Sequence, residues 1–265
     1  MYHQLSVFLQ SLFCFWYNMK NFLKTVKNFA EDLLFPKNIH CICCGSEIFD
    51  NERFCLCDNC LSKLQFLDNF NYCKVCGTKI TGCGDLCERC VKNTFTSFKI
   101  ARAVFVYEEN MVNIVHNLKY NNKQYLSNAL SNLLFDFFVH HEELLDADII
   151  IPVPLHKTKL KKRGYNQTEL LLESFKEKFN VRFDVAVKIK ETDSQRTKTA
   201  QERFENMKNC FEIVKPELIK NKKVLICDDV FTTGATCGSL ARTLLKSGAK
   251  QVKCLTLCNT TKKMF

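Results

Sequence analysis

Two adjacent carboxylates, Asp228 and Asp229, follow the apolar run 224–227 and precede a hydroxyl-rich turn in the stretch VLICDDVFTTGAT. The apolar run predicts a buried strand, and the residues after the turn predict an amphipathic helix. Exposed backbone amides and the helix dipole at such a helix start bind phosphate, and Gly234 lets the backbone approach the anion closely. The sequence therefore predicts a phosphate-binding turn formed by Thr232, Thr233, Gly234, Ala235 and Thr236.

The two carboxylates need a different role, because a phosphate group beside them would be repelled. Carboxylates bind neutral hydroxyl groups or a bridging magnesium ion. A ligand with a phosphate at one end and a diol in its middle is a phosphorylated ribose. We therefore interpret Asp228 and Asp229 as sugar-binding residues. The alternative is an acidic helix N-cap that binds no ligand.

Two further polar segments follow predicted strands. The segment 152–167 is predicted to be a basic loop, which would hold a second anion such as pyrophosphate or would simply be a solvated charge run. Its cationic residues are Lys157, Lys159, Lys161, Lys162 and Arg163. The segment 194–207 is predicted to be either a mobile lid over the ligand or an ordinary surface excursion.

The cysteines form a second, separate pattern. Most of the 17 cysteines lie in the first 90 residues, where CICCGSEI (41–48) and LCDNC (56–60) are repeated as CKVCGTKI (73–80) and LCERC (86–90). Four thiolates per copy suffice for one tetrahedral structural zinc ion, and the glycine after each first pair suits a tight metal-binding knuckle. The predicted ligand sets are Cys41, Cys44, Cys57 and Cys60, and Cys73, Cys76, Cys87 and Cys90. An interleaved pairing, or a single occupied site, is also compatible with the spacing, and Cys43, Cys55 and Cys83 are spare.

The remaining patterning predicts the elements that position these residues. Apolar runs predict strands at 102–107, 147–154, 223–230 and 252–258, and 3.6-residue periodicity predicts helices at 111–120, 126–141, 166–179 and 238–248. Alternating strands and helices predict an α/β fold with a mainly parallel sheet flanked by helices. Ligands of such sheets lie beyond the carboxyl ends of the strands.

Length and composition limit the possible domain organisation and the kind of partner. The chain has 265 residues, an apolar fraction of 46% and a net charge of +10, which indicates an anionic partner. We divide it into an N-terminal segment (1–35), a double zinc ribbon (36–95) and an α/β domain (96–265). Residues 19–35 predict an amphipathic helix, and residues 1–18 are interpreted as a misplaced start or, alternatively, a membrane-surface helix. Cysteine usage and the lack of a spanning segment predict a cytoplasmic protein without membrane insertion.

From about residue 33 onward, the motifs resemble those of the ComF family, competence-associated proteins that join a double zinc ribbon to a type I phosphoribosyltransferase domain. The strongest match is CDDVFTTGAT (227–236), which resembles the signature for 5-phosphoribosyl-1-pyrophosphate (PRPP). Other matching stretches are LLFP (33–36), VFVYEEN (104–110), NLKYNNK (117–123), IPVPLHKTKLKKRGYNQ (151–167) and SGAKQV (247–252).

The resemblance implies specific roles. Asp228 and Asp229 would bind the ribose hydroxyls, residues Thr232 to Thr236 the 5-phosphate, and Leu155, His156 and Lys157 the pyrophosphate. Arg203 in the flexible segment 194–207 would reach the ligand, and magnesium would bridge pyrophosphate and ribose. If the protein is catalytic, Lys157 and magnesium would stabilise the departing pyrophosphate while a nucleophile attacks C1.

The family resemblance implies a PRPP-binding protein that acts in DNA uptake and recombination during natural competence. Two alternatives stay open: a PRPP-dependent phosphoribosyltransferase of nucleotide metabolism with an unknown acceptor, and a non-catalytic module that binds single-stranded DNA. Phe54, Phe66, Phe70 and Tyr72 are candidates for base stacking, although core packing is the preferred interpretation.

Overall fold

The structure is a computed structural model that describes residues 40–48, 54–82, 84–92, 97–120, 126–191, 207 and 209–260. The predicted N-terminal helix, the first 18 residues and nearly all of segment 194–207, including Arg203, lie outside these described residues.

A four-stranded parallel sheet forms the centre of the α/β domain, with strand order β1-β6-β5-β2. A separate antiparallel pair, β3 and β4, forms a small second sheet. The strands seen in the described residues are β1 (Ala101–Val106), β2 (Ile149–Pro152), β3 (Ala186–Lys188), β4 (Phe211–Ile213), β5 (Lys223–Phe231) and β6 (Gln251–Asn259). The predicted parallel α/β sheet is therefore confirmed.

The helices cover both faces of the sheet. In the described residues they are α1 (Asp58–Leu61), α2 (Glu88–Val91), α3 (Glu109–Tyr120), α4 (Leu126–Val139), α5 (Glu142–Leu145), α6 (Lys157–Arg163), α7 (Gln167–Leu170) and α8 (Ala235–Lys246). Short 3-10 turns occur at Leu67–Asn69, Glu173–Phe175 and Pro216–Leu218. None of these helices has the length and apolar character needed to cross a membrane.

The central strand β5 is buried on both faces, which explains its continuous apolar run. Alternate side chains of a strand point to opposite faces. Leu225 and Cys227 belong to the apolar cluster that contains the buried residues of α3 and α4. Val224 and Ile226 belong to the cluster that contains the buried residues of α8. The two faces of β5 therefore have different neighbours. Asp228 and Asp229 lie further along the same strand, so the face each one occupies decides its surroundings.

Both cysteine-rich repeats pack directly on this α/β domain. Leu56 and Leu64 of the first repeat share a buried cluster with Phe105 of β1, and the rings of Phe66 and Phe105 lie 4.8 Å apart. Cys73 and Cys76 of the second repeat share the opposite cluster. The repeats thus use the core of the larger domain, as expected for segments too small to form their own.

Two predicted elements are wrong: the helix at 166–179 and the basic loop at 157–163. The expected helix 166–179 is a four-residue helix, a turn at Leu171 and Leu172, and a 3-10 turn. The backbone amide of Ser174 donates to Ser131 Oγ on α4 across 2.9 Å, a tertiary contact that replaces the helical hydrogen bond. Apart from these, the predicted strand and helix boundaries differ from the observed ones by no more than three residues.

The expected basic loop at 157–163 is helix α6. The ring of His156 caps its start by accepting from the backbone amide of Thr158 across 3.4 Å. Lysine and arginine are good helix formers, so a charge run of this composition folds as a helix once it is capped.

Candidate functional site

Asp228 and Asp229 lie within the carboxyl-terminal part of β5, which continues to Phe231. Asp228 is paired in register with Thr256 of β6, so these residues belong to the sheet itself. Because successive strand residues alternate, the two carboxylates point to opposite faces of the sheet. The sequence interpretation placed both acids at one sugar; the structure shows that they have different surroundings.

Asp229 lies on the face of α3 and α7, where both of its oxygen atoms are bound. Lys119 Nζ lies 2.7 Å from Asp229 Oδ1, and Gln167 Nε2 donates to Asp229 Oδ2 across 2.7 Å. Burial lowers the pKa of Lys119, but the adjacent Asp229 carboxylate outweighs that effect and leaves the pKa raised. Lys119 is therefore a cation that neutralises Asp229 inside the domain.

Asp228 lies on the opposite face and is only 8% exposed. Its Oδ1 accepts from the backbone amide of Asp229 across 2.8 Å. Burial, followed by repulsion from Asp229, raises the pKa of Asp228 to about 7. No residue in the described part of the chain donates to Asp228 Oδ2. Asp228 is thus the carboxylate with an oxygen left for a ligand.

The predicted phosphate turn opens α8, as expected. Gly234 is the residue before the helix, with a φ of 78°, and its missing Cβ matters because that atom would lie 2.7 Å from the ring of Phe231. Thr233 Oγ1 accepts from the backbone amide of Ala235 across 3.3 Å. The first amides of the 12-residue helix α8 point toward the carboxyl edge of the sheet, which is the arrangement that binds anions.

The predicted pyrophosphate residues lie where β2 meets α6. Leu155 is half-buried, His156 is buried, and Lys157 is exposed at the first position of α6. His156 pairs through a β-bridge with Lys188 of β3. Burial, then the nearby charge of Lys159, lowers the pKa of Lys188, while Asp228 opposes that shift. Lys188 is therefore a half-buried amine whose charge interacts with that of Asp228.

The sequence interpretation did not identify three residues that contact this site: Lys119, Gln167 and Lys188. Lys119 lies in the motif NLKYNNK (117–123), and Gln167 ends the motif at 151–167. Their role depends on how α3 and α7 pack on β5. Lys188 lies in an unremarkable segment whose sequence carries no signal. The structure favours core packing over base stacking for Phe54, Phe66 and Phe70, since all three pack against buried clusters.

The predicted cysteine sets form two compact clusters, Cys41, Cys44, Cys57 and Cys60, and Cys73, Cys76, Cys87 and Cys90. Within each cluster, all four sulfur atoms lie within 4.8 Å of one another. Cys43 and Cys55 fall outside both clusters, and Cys83 lies outside the described residues.

The geometry of these clusters fits zinc. A zinc ion with four thiolate ligands at about 2.3 Å places neighbouring sulfur atoms about 3.8 Å apart. Cys44 Sγ lies 3.7 Å from Cys57 Sγ, and Cys76 Sγ lies 3.5 Å from Cys87 Sγ. Four cysteine ligands complete a tetrahedron, so ions held here would be structural.

Family models match both parts of the chain. A model described as "Double zinc ribbon domain" matches residues 30–92, and one described as "Phosphoribosyl transferase domain" matches residues 167–264. These matches agree with the cysteine clusters and with the parallel sheet described above.

Curated relatives cover both parts together. The chain is 31% identical over 193 residues to the DNA utilization protein YhgH of Escherichia coli, covering 71% of this chain and 84% of that protein. It is 27% identical over 223 residues to Competence protein F of Haemophilus influenzae, covering 82% and 95%. It is also 27% identical over 208 residues to Competence protein ComFC of Streptococcus pneumoniae, covering 78% and 89%.

Proposed function

Because the chain belongs to the ComF family, which includes Competence protein F, ComFC and YhgH, we propose that it binds PRPP and acts in DNA uptake and recombination during natural competence. One observation carries the ligand proposal. Asp228 has an oxygen without a donor in the described chain, and the turn that opens α8 begins four residues later, at Thr232. A sugar hydroxyl and its 5-phosphate require these two groups at adjacent positions.

The proposal assigns different roles to the two acids. Asp228 binds the ribose hydroxyls through its available oxygen, and Asp229 fixes the local geometry through Lys119 and Gln167. The amides of Thr232 to Thr236 bind the 5-phosphate. Leu155, His156 and Lys157 bind the pyrophosphate, with Lys157 supplying charge from the exposed start of α6. Arg203 would approach from segment 194–207.

Magnesium fits the carboxylate oxygen chemistry of Asp228, and when bound it would neutralise charge on the pyrophosphate. If phosphoribosyl transfer occurs, the bond from C1 to the pyrophosphate oxygen breaks and the acceptor forms the new bond to C1. Lys157 then stabilises the negative charge on the leaving group. The identity of the acceptor substrate stays open, as does the alternative that the protein is an enzyme of nucleotide metabolism.

Zinc is proposed for the two cysteine clusters, where it has a structural role. Because free thiols and zinc thiolates persist in reducing compartments, we place the protein in the cytoplasm.

Calorimetry tests the ligand proposal. Wild-type protein with both clusters loaded is titrated with PRPP in the presence of magnesium, and Asp228→Asn is titrated in parallel. We expect saturable binding to the wild type and at least a tenfold loss in the variant, which keeps the shape of the side chain and removes its charge. Absence of binding to folded wild-type protein would refute the proposal.

Binding of single-stranded DNA is the second candidate, and helix α6 favours it. Lys157, Lys161 and Lys162 are exposed there, and the Arg163 guanidinium lies 5.3 Å from the centre of the Tyr120 ring, which is 60% exposed. A cation beside an exposed aromatic ring is a surface on which a base stacks. Affinity for single strands that falls steeply with salt, and that is lowered in Tyr120→Ala, would support this candidate.

A further inference from the structure

The second cysteine cluster lies directly against the phosphate turn. A small cavity is lined on one side by Cys76, Arg89 and Cys90 and on the other by Thr233 and Gly234. Phe98 and Phe231, whose rings meet edge to face with centres 5.8 Å apart, close it. Two of the proposed zinc ligands and the phosphate turn therefore face each other across the same cavity.

Arg89 bridges the cluster and the turn. It lies between Cys87 and Cys90, and its Nη1 donates to the carbonyl oxygen of Thr232 across 3.3 Å. Its Nη2 donates to Thr78 Oγ1, also across 3.3 Å. The carbonyl of Thr232 also accepts from Thr260 Oγ1 across 3.4 Å. The guanidinium thus holds the first residue of the turn from the side of the cysteine cluster.

A second hydrogen-bonded link fixes the cluster to the end of β6. Asn259 Nδ2 donates to the carbonyl oxygen of Cys76 across 3.0 Å, and Thr78 Oγ1 donates to Asn259 Oδ1 across 3.2 Å. Asn259 is paired in register with Phe231, the residue before the turn. Movement of the second cluster must therefore change the position of the turn.

The first repeat provides a contrast. Asn59, between Cys57 and Cys60, occupies the position equivalent to Arg89, and it is exposed. The two repeats are similar in sequence, but only the second carries a cation at this position. The arginine is thus specific to the cluster that contacts the turn.

We propose that Arg89 is a positioning residue for the phosphate turn, and that it couples the metal content of the second cysteine cluster to ligand binding at that turn. The ligand half of this inference rests on the proposed PRPP site. The coupling works in both directions, because a change at one site that alters the other must be matched by the reciprocal effect. A loaded second cluster favours the binding conformation of the turn, and a bound phosphate retains the metal.

The test measures zinc release into a chromogenic chelator, with the first cluster as internal control. Release phases are assigned to each cluster with Cys57→Ser and Cys87→Ser. We expect magnesium–PRPP to slow release from the second cluster at least threefold and to leave the first unchanged. Gly234→Ala, which distorts the turn without any ligand, should accelerate release from the second cluster alone. Unchanged release from that cluster in Gly234→Ala would overturn the coupling.

Arg89→Met and Arg89→Lys test the residue itself, with Asn59→Ala as the matched control. We expect Arg89→Met to retain both metal ions and to bind PRPP at least tenfold more weakly, and Arg89→Lys to recover only part of the loss. A single ammonium group lacks the forked donors that reach Thr232 and Thr78 together. Asn59→Ala should bind normally. Wild-type affinity in metal-loaded Arg89→Met would refute the positioning role.

These experiments separate the two proposals. If wild-type protein does not bind PRPP while Gly234→Ala still accelerates release from the second cluster, the proposed ligand is wrong and the coupling between cluster and turn stands. If wild-type protein binds PRPP, but PRPP does not slow zinc release and Arg89→Met does not weaken PRPP binding, the proposed ligand is right and the coupling is wrong.

Discussion

Lys119 Nζ lies 2.7 Å from Asp229 Oδ1, joining helix α3 to the central strand β5 across the interior of the domain. Asp229 is 6% exposed at its side chain and Lys119 is 20% exposed, so water screens this ion pair only weakly. The second oxygen of Asp229 is bound by Gln167. One of the two signature acids therefore already has a full set of partners within the chain.

Removal of Lys119 should be strongly destabilising. Lys119→Met leaves Asp229 buried without its cation, which costs about 3–5 kcal/mol of unfolding free energy. The double variant Lys119→Met/Asp229→Asn removes both charges and should recover much of that loss. Denaturant unfolding of the wild type, both single variants and the double variant measures the coupling. Additive effects of the two substitutions would contradict the pairing.

The buried carboxyl of Asp228 should make stability fall as pH rises. Its pKa is raised to about 7 in the folded protein from an ordinary value of 3.8, mainly by burial. Between these two values the folded state keeps a proton that the unfolded state has lost, so the unfolding free energy decreases with pH across that window. The decrease attributable to Asp228 is about 4 kcal/mol, on the order of 1.4 kcal/mol for each unit by which the pKa is raised.

Asp228→Asn lacks this proton and should therefore gain stability relative to the wild type as pH rises from 5 to 8. Thermal melts of both proteins across that range measure the difference, which cancels titrations common to the two. A constant difference in melting temperature would show that Asp228 ionises in the folded protein as it does in water.

Gly77 should be more sensitive to substitution than Gly45, although the two occupy the same position in the two repeats. Both have positive φ angles, 67° and 77°, but only a Cβ at Gly77 meets a neighbour, the carbonyl oxygen of Ala101 at 2.7 Å. Gly45→Ala should cost about 1 kcal/mol from backbone strain. Gly77→Ala adds a clash that separates the second repeat from β1, so it should lower the melting temperature further. Equal shifts would argue against close docking of the second repeat.

Removal of metal should destabilise the whole chain and not the repeats alone. Buried residues of both repeats belong to the same apolar clusters as the sheet. If metal loss unfolds the repeats, it also exposes Phe105 and Phe231 of the α/β domain. Chelation under reducing conditions should lower the melting temperature by roughly 10 °C or more, given that structural zinc contributes several kcal/mol. If chelator left the melting temperature of the α/β domain unchanged, the repeats and the α/β domain would be independent.

The sequence by itself determined the local elements of the candidate site. Four apolar residues before Asp228 can only be a buried strand in this context, and the Thr-Thr-Gly turn follows because glycine adopts the φ of 78° that precedes α8. The cysteine spacing likewise determined which thiols are neighbours, because a knuckle of four residues brings its two sulfurs together. These are short-range constraints, set by backbone geometry within a few residues.

The tertiary structure decided what those elements contact. The partner of Asp229 is Lys119, 110 residues away, and Arg89 reaches Thr232 across a separation of 143 residues. Strand alternation directs Asp228 and Asp229 to opposite faces of β5, but only the packing of α3 and α7 on one face brings Lys119 and Gln167 to the oxygens of Asp229. The broken helix after Asn166 has the same origin, because Ser131 on α4 binds an amide that local periodicity assigns to the helix. Such contacts depend on packing between distant segments, for which residue spacing along the chain carries no signal.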